Sequence, residues 1–264
     1  MAILALIVMI GALPGAWLAG SALARTDRSL KLVALACVLY VPLWFYLHDL
    51  SDTALWLVPW DDYVFFERIP LYFAILLLLA LCWWRLERRR RLALGFLTGL
   101  FALFTLGEVG GPVAFPVVAG QLDSATMGPP RQSTEVFQST GWSCGAAALA
   151  WALRLKGFPA SERQMAELAA STPLRGTKTR GLLRAAHRLG LSAHAYQHAV
   201  WEQLLAAPKP VVVDWRLSAT LGHMVVLIAI EGDQVTVGDP LQGESGYSKT
   251  EFMAHWMHGM LVLE

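Results

Sequence analysis

The sequence predicts an all-α membrane domain of four transmembrane helices followed by an α+β domain with a mostly antiparallel sheet. Three observations carry this. The apolar excess is confined to roughly the first 110 residues, charged loops divide it into four stretches, and the remainder passes from helical to strand periodicity.

Each observation excludes something. Of 264 residues, 56% are hydrophobic and 16% charged. That charged share lies below the roughly 25% of an ordinary soluble domain and rules out a disordered chain. A net charge of +1 gives no field that would gather nucleic acid, so no nucleic-acid partner is expected. Three cysteines are too few for a disulfide-built secreted scaffold at this length.

The four apolar stretches are about Ala2–Ala24, Leu32–Leu47, Pro70–Trp84 and Leu92–Val109. A bilayer demands roughly 20 residues. The second and third need their aromatic flanks, Trp44 to Tyr46 and Leu71 to Phe73, to reach that length. Arg25, Arg28 and Lys31 separate spans one and two, and Arg85 with Arg88 to Arg91 separates three and four. Both basic loops are expected in the cytoplasm. The loop between spans two and three holds Asp49, Asp52, Asp61, Asp62 and Glu67 against Arg68, and is expected outside. Both termini then lie outside a bacterial inner (plasma) membrane, with the second domain periplasmic or extracytoplasmic. Trp56, Trp60, Tyr63, Phe65 and Phe66 of the outer loop suit an interfacial aromatic belt. Ala22-Leu23-Ala24 resembles a signal cleavage site, but no positive segment precedes it, so the first span is read as an uncleaved anchor.

The expected division is a transmembrane domain over 1–109, a linker over 110–132 and a soluble domain over 133–264. The linker is dense in Gly and Pro, among them Gly110, Gly111, Pro112, Pro129 and Pro130. In the soluble domain the periodicity predicts helices over Cys144–Lys156, about Ser161–Ala170 with Ser161 and Gln164 as a capping box, and from a Thr177 or Thr179 cap to Leu189. Strands are predicted over Leu191–Gln197, Pro210–Trp215, His223–Ile230, Gln234–Asp239 and Met260–Glu264, with short helices near Trp201–Ala206 and Lys249–His258. Helices first and then a sheet make an α+β arrangement of two packed layers.

Cys37 and Cys82 fall within expected spans, leaving Cys144 as the one thiol of the soluble domain. It stands where a loop turns into a helix, and a helix N-terminus favours a thiolate and offers N–H groups to a developing oxyanion. Gly145 beside it allows close backbone approach. A nucleophilic Cys needs a base held by a third group. Of seven histidines, His48 is at a membrane boundary, His187 is within a helix, His194 and His198 flank a strand, and His255 and His258 are in the terminal helix. His223 differs by opening an apolar strand after Gly222, and the hairpin through Glu231-Gly232-Asp233 can bring Asp239 beside it.

The ordered set Gln138, Cys144-Gly145-x-Ala147, Gly222-His223-x-Val225-Val226 and Gly238-Asp239-Pro240 resembles the bacteriocin-processing, double-glycine cysteine peptidase family of the papain-like superfamily. The resemblance covers about Ser133–Glu264. It implies a papain-like fold with Cys144 as nucleophile, His223 as general base and then acid, Asp239 as its orienter and Gln138 as side-chain donor to the oxyanion. Cleavage would pass through a thioester acyl-enzyme, with hydrolysis after small, Gly-Gly-like residues as one expectation. The implied partners are a peptide or protein substrate and the bilayer, and no cofactor or metal is called for. The best-known family members precede ABC exporters on the cytoplasmic side. Here the domain follows the membrane part, and no P-loop sequence accompanies it, so no ATP is expected. Two other readings stay open: a leader-binding domain that does not cut, and a Cys-dependent amidase or transferase of the cell envelope. Gly110-Gly111 is read as linker glycine, because Pro112 is a poor acceptor for most proteases.

Overall fold

The computed structural model describes residues 1–23, 27–49, 61–123, 134–218 and 221–264. Arg25, Trp56, Trp60, linker residues Gly128 to Pro130 and Ser133 lie outside the described residues. Of the described residues, those in 1–49 and 62–113 fall in one compact unit, and Asp61 with those in 114–264 falls in another.

The first unit is helical: α1 Ala2–Leu23, α2 Asp27–Asp49, α3 Ile69–Arg85 and α4 Arg88–Gly110, with a 3-10 turn Asp61–Phe65 leading into α3. Three segments, Ala2–Leu23, Asp61–Trp83 and Arg90–Gly110, are long and apolar enough to cross a membrane, whereas the apolar part of α2 is the shorter Lys31–Leu47. Among the described residues three helices thus meet both the length and the composition of a crossing, and the apolar part of α2 is shorter because polar residues occupy both its ends. Small residues let the helices approach: a Cβ on Gly20 of α1 would stand 2.5 Å from Ala80 Cβ of α3, and one on Gly95 of α4 would stand 2.6 Å from the Trp83 ring. Outward residues such as Ile7, Leu18, Leu39, Leu92 and Leu103 remain exposed. Arg68 at the start of α3 pairs with Glu108 near the end of α4 at 2.6 Å, which joins the same ends of two antiparallel helices.

The second unit opens with a short helix, α5 Phe115–Val118, and its Phe115, Ala119 and Leu122 are buried in the same cluster as the long helix α6 Cys144–Leu155. Then come α7 Glu162–Leu168, α8 Thr179–Arg188, β1 Ala193–Tyr196, α9 Trp201–Ala206, β2 Val211–Arg216, β3 Gly222–Glu231, β4 Gln234–Asp239, β5 Gly243–Ser248, α10 Lys249–His255 and β6 Trp256–Leu263. The sheet runs β1-β6-β2-β3-β4-β5, and every pairing is antiparallel.

Alternation along the strands divides the core in two. Val212, Met224, Val226, Leu261 and Leu263 pack with α6, while Val211, Val213, Val225, Leu227 and Val237 pack with Leu204 of α9 and Phe252 of α10. Helices therefore cover both faces, and the expected two layers become three. Val, Leu and Met at successive positions of β2 and β3 reflect this burial on both sides.

Other departures have local causes. Strand β5 is absent from the sequence expectation, since Gly-Glu-Ser-Gly-Tyr-Ser lacks apolar alternation, which an edge strand does not need. The last strand begins at Trp256 rather than Met260, so His258 lies in β6 and not in the terminal helix. Helix α8 carries no side-chain cap: Lys178 is its N-cap, and the Thr177 hydroxyl bonds Ser171 instead, at 2.8 Å. Ser161 does cap α7, accepting from Gln164 N.

Candidate active site

Cys144 is the first residue of α6, after the N-cap Ser143, and its thiol is half-buried. The turn that presents it is tied internally. Thr140 donates its hydroxyl to Ser143 Oγ at 2.7 Å, and Ser143 Oγ donates to the Thr140 carbonyl at 3.1 Å. Helix α6 reaches the sheet at Gly145, where a Cβ would lie 2.6 Å from Met224 Sδ and 2.8 Å from Thr177 Cβ. Glycine is required there for the helix to bring its first turn against the start of β3.

His223 is the second residue of β3 and Asp239 the last of β4. Both are buried, and His223 Nε2 meets Asp239 Oδ1 at 2.7 Å. The Cys144 sulfur acts on the same ring, near enough to raise its pKa. With Nε2 taken by Asp239, Nδ1 is the nitrogen left for the thiol. Asp239 Oδ1 also accepts from Leu241 N at 2.8 Å, which fixes the carboxylate. Burial pushes the His223 imidazolium down, but the hydrogen bonds to Asp239 and Cys144 and their negative charge outweigh it and hold the group at about 9. For Asp239, burial pushes upward, and the bonds from His223 and Leu241 N prevail and hold the carboxyl below its usual range. At neutral pH the pair is imidazolium and carboxylate.

A β-bulge makes this contact possible. Near the turn, Glu231 pairs with Gln234, and Gly232 takes the positive φ of 62° that a two-residue hairpin wants at its first position. Ile230 faces Val235 and Ala229 faces Thr236, but Leu227 faces Val237 and Val226 faces Gly238, so Ile228 is the extra residue. An uninterrupted ladder would put Asp239 opposite Val226, on the face away from His223. The one-residue slip returns Asp239 to the His223 face.

Gln138 is held beside this pair through its backbone, donating N–H to the Pro240 carbonyl at 2.9 Å. Its side-chain nitrogen donates to the Thr140 carbonyl at 2.8 Å, which leaves a second amide hydrogen unspent. Every residue of Gly238-Asp239-Pro240 thus contributes. Gly238 admits the Trp151 ring of α6, whose atoms would stand 2.8 to 3.0 Å from a Cβ, Asp239 holds His223, and the Pro240 carbonyl holds Gln138. Sequence reasoning misses the Thr140 and Ser143 hydroxyls and the Pro240 carbonyl. Small hydroxyl residues in a loop and a backbone oxygen carry no distinctive pattern. Asp214 and Trp215, read as the end of a core strand, lie within β2. Among the described residues no group of three or more His, Cys, Asp or Glu is placed to hold a metal.

A thiol at a helix N-terminus, an imidazole between sulfur and carboxylate, and a nearby amide donor form the arrangement of a cysteine peptidase. Residues 133–264 match the model of the peptidase C39 family, and the chain belongs to that family of cysteine peptidases. The chain is 34% identical over 129 residues to the probable functional amyloid protease FapD of Pseudomonas aeruginosa, covering 46% of this chain and 56% of that one. It is 33% identical over 129 residues to an uncharacterized protein of Methanothermobacter marburgensis, covering 49% of this chain and 87% of that one. Among solved structures, the peptidase domain of Streptococcus ComA, a bifunctional ABC transporter of a quorum-sensing pathway, is 25% identical with a TM-score of 0.44, over 48% of this chain and 95% of that one. The chain spans just over half the length of FapD.

Proposed function

We propose that this chain is a membrane-anchored cysteine endopeptidase that cleaves an exported peptide or envelope protein on the outer side of a bacterial inner membrane, after small, Gly-Gly-like residues. The division into a transmembrane domain over 1–109, a linker over 110–132 and a peptidase domain over 133–264 belongs to this reading. The observation that carries the chemistry is the buried His223–Asp239 bond at 2.7 Å, with Cys144 at the start of its helix acting on the same ring.

In this reading His223 holds the proton, and the Cys144 thiolate attacks the scissile carbonyl. The oxyanion takes hydrogen bonds from the Cys144 N–H, which has no helical carbonyl ahead of it, and from the free amide hydrogen of Gln138. His223 then protonates the leaving amine. In the second half the neutral imidazole takes a proton from water, hydroxide adds to the thioester, and Cys144 leaves as thiolate. Asp239 keeps the ring oriented and supports its charge throughout.

Support for the anchor comes from three helices of membrane-crossing length and the outward apolar residues of α2. The proposed arrangement has four spans, with both basic loops inside and both termini outside. The name of the relative FapD, a probable functional amyloid protease, supports a protein as substrate class. The test compares the termini of envelope proteins from cells carrying the unsubstituted chain or Cys144→Ala. A protein terminus that disappears with the thiol is expected, and identical sets of termini contradict the proposal.

A further inference from the structure

Glu162 is a carboxylate with no exposed surface. Such a group is costly to bury unless its lone pairs are filled. Here Ser139 N donates to Oε1 at 2.7 Å, Ser139 Oγ to Oε2 at 2.6 Å and Asp123 N to Oε2 at 3.0 Å. All three partners approach as donors. An amide in its place would turn N–H groups toward at least one backbone N–H, so the site selects a carboxylate.

Its position gives the carboxylate a use. Ser139 is the residue between Gln138 and Thr140, and the Thr140 carbonyl is the acceptor that fixes the Gln138 side chain. Thr140 also bonds Ser143, the residue before Cys144. With Pro240 holding the Gln138 backbone from the other side, the two bonds to Ser139 fix the remaining freedom of this loop. Charge-assisted hydrogen bonds of this length are the strong kind.

We infer that Glu162 is a positioning residue for the oxyanion donor, acting through Ser139 on Gln138; the inference rests on the peptidase reading and adds to it. Removing one oxyanion donor costs an enzyme about 10²- to 10³-fold in kcat. Loosening that donor is expected to cost part of this, on the order of tenfold.

The full chain in detergent, a fluorogenic peptide with Gly-Gly before the aminocoumarin, and a cycle of Glu162→Gln and Gln138→Ala test it. Expected is a fall in kcat of about tenfold for Glu162→Gln with KM within about twofold, an unchanged rate of iodoacetamide alkylation at Cys144, and almost no further loss when the change is added to Gln138→Ala. Ser139→Ala, which removes one of the bonds and leaves the buried carboxylate in place, is expected to give a smaller fall of the same kind, and serves if Glu162→Gln does not fold. An equal loss in both backgrounds, no loss at all, or alkylation falling in step with turnover overturns the inference. Absence of turnover in an unsubstituted chain that alkylates normally overturns the peptidase reading itself, a distinguishable result.

Discussion

His223 and Asp239 bond at 2.7 Å although they are not partners in the ladder. Carried one step past Val226 and Gly238, the register sets Asp239 across from Val225, diagonal to His223 on the same face. The bulge at Ile228 is therefore part of the site, and the carboxylate is delivered by backbone geometry.

Asp239→Ala should leave a buried ring unsupported on one nitrogen. A fall in kcat/KM of roughly 10²-fold is expected, the lower range for loss of a positioned acid or base. The alkaline limb of the pH profile should also move below about 9, since both the bond and the charge from Asp239 raise His223. Steady-state kinetics across pH checks both.

Stability should follow the same titrations. His223 is raised from 6.5 to about 9, so it stabilises the folded state fully below pH 6.5 and progressively less as pH rises through about 9. Asp239 is lowered from 3.8, so its contribution is present above that value and lost as pH falls through its folded pKa. Urea midpoints should therefore be higher near pH 5.5 than near pH 9.5, and Asp239→Ala should flatten that difference.

Gly238→Ala should fail for steric reasons. The new methyl would meet the Trp151 ring at 2.8 to 3.0 Å, inside a core where neither the ring nor the strand has room to move. A loss of about 1–3 kcal/mol in unfolding free energy is expected, the usual cost of overpacking. Gly141→Ala, whose Cβ would meet no atom within 4 Å, should be nearly neutral.

The proposed topology makes a separate prediction. A phosphatase reporter, active only outside the cytoplasm, should be active when joined after Val109 and inactive when joined at Glu87 between α3 and α4. The reverse pattern would place the peptidase domain inside.

Much of the site is legible in the sequence, for identifiable reasons. Cys144 at a helix start, His223 opening an apolar strand and Asp239 before a proline sit at element boundaries that Gly and Pro punctuate, and boundaries of that kind are visible in one dimension. The apolar helices are equally visible, except that the polar ends of α2 leave its apolar part short of a full span. What stays hidden is what depends on the third dimension. The slip at Ile228 leaves no mark in Val225 to Ile230, where every residue is apolar. Strand β5 forms because β4 offers it a ladder, and its own residues show no preference. Glu162 reads as an ordinary acidic residue following an N-cap, and only the loop folded over it makes it buried.

Peptide hydrolysis by the Cys144 thiolate is the chemistry proposed for this chain. The most direct measurement is cleavage of the Gly-Gly aminocoumarin peptide by the purified full chain and by its Cys144→Ala variant, with folding of both confirmed by thermal unfolding. Turnover is expected of the first and none above background of the second. A folded Cys144→Ala chain that cleaves at the unsubstituted rate would contradict the proposal.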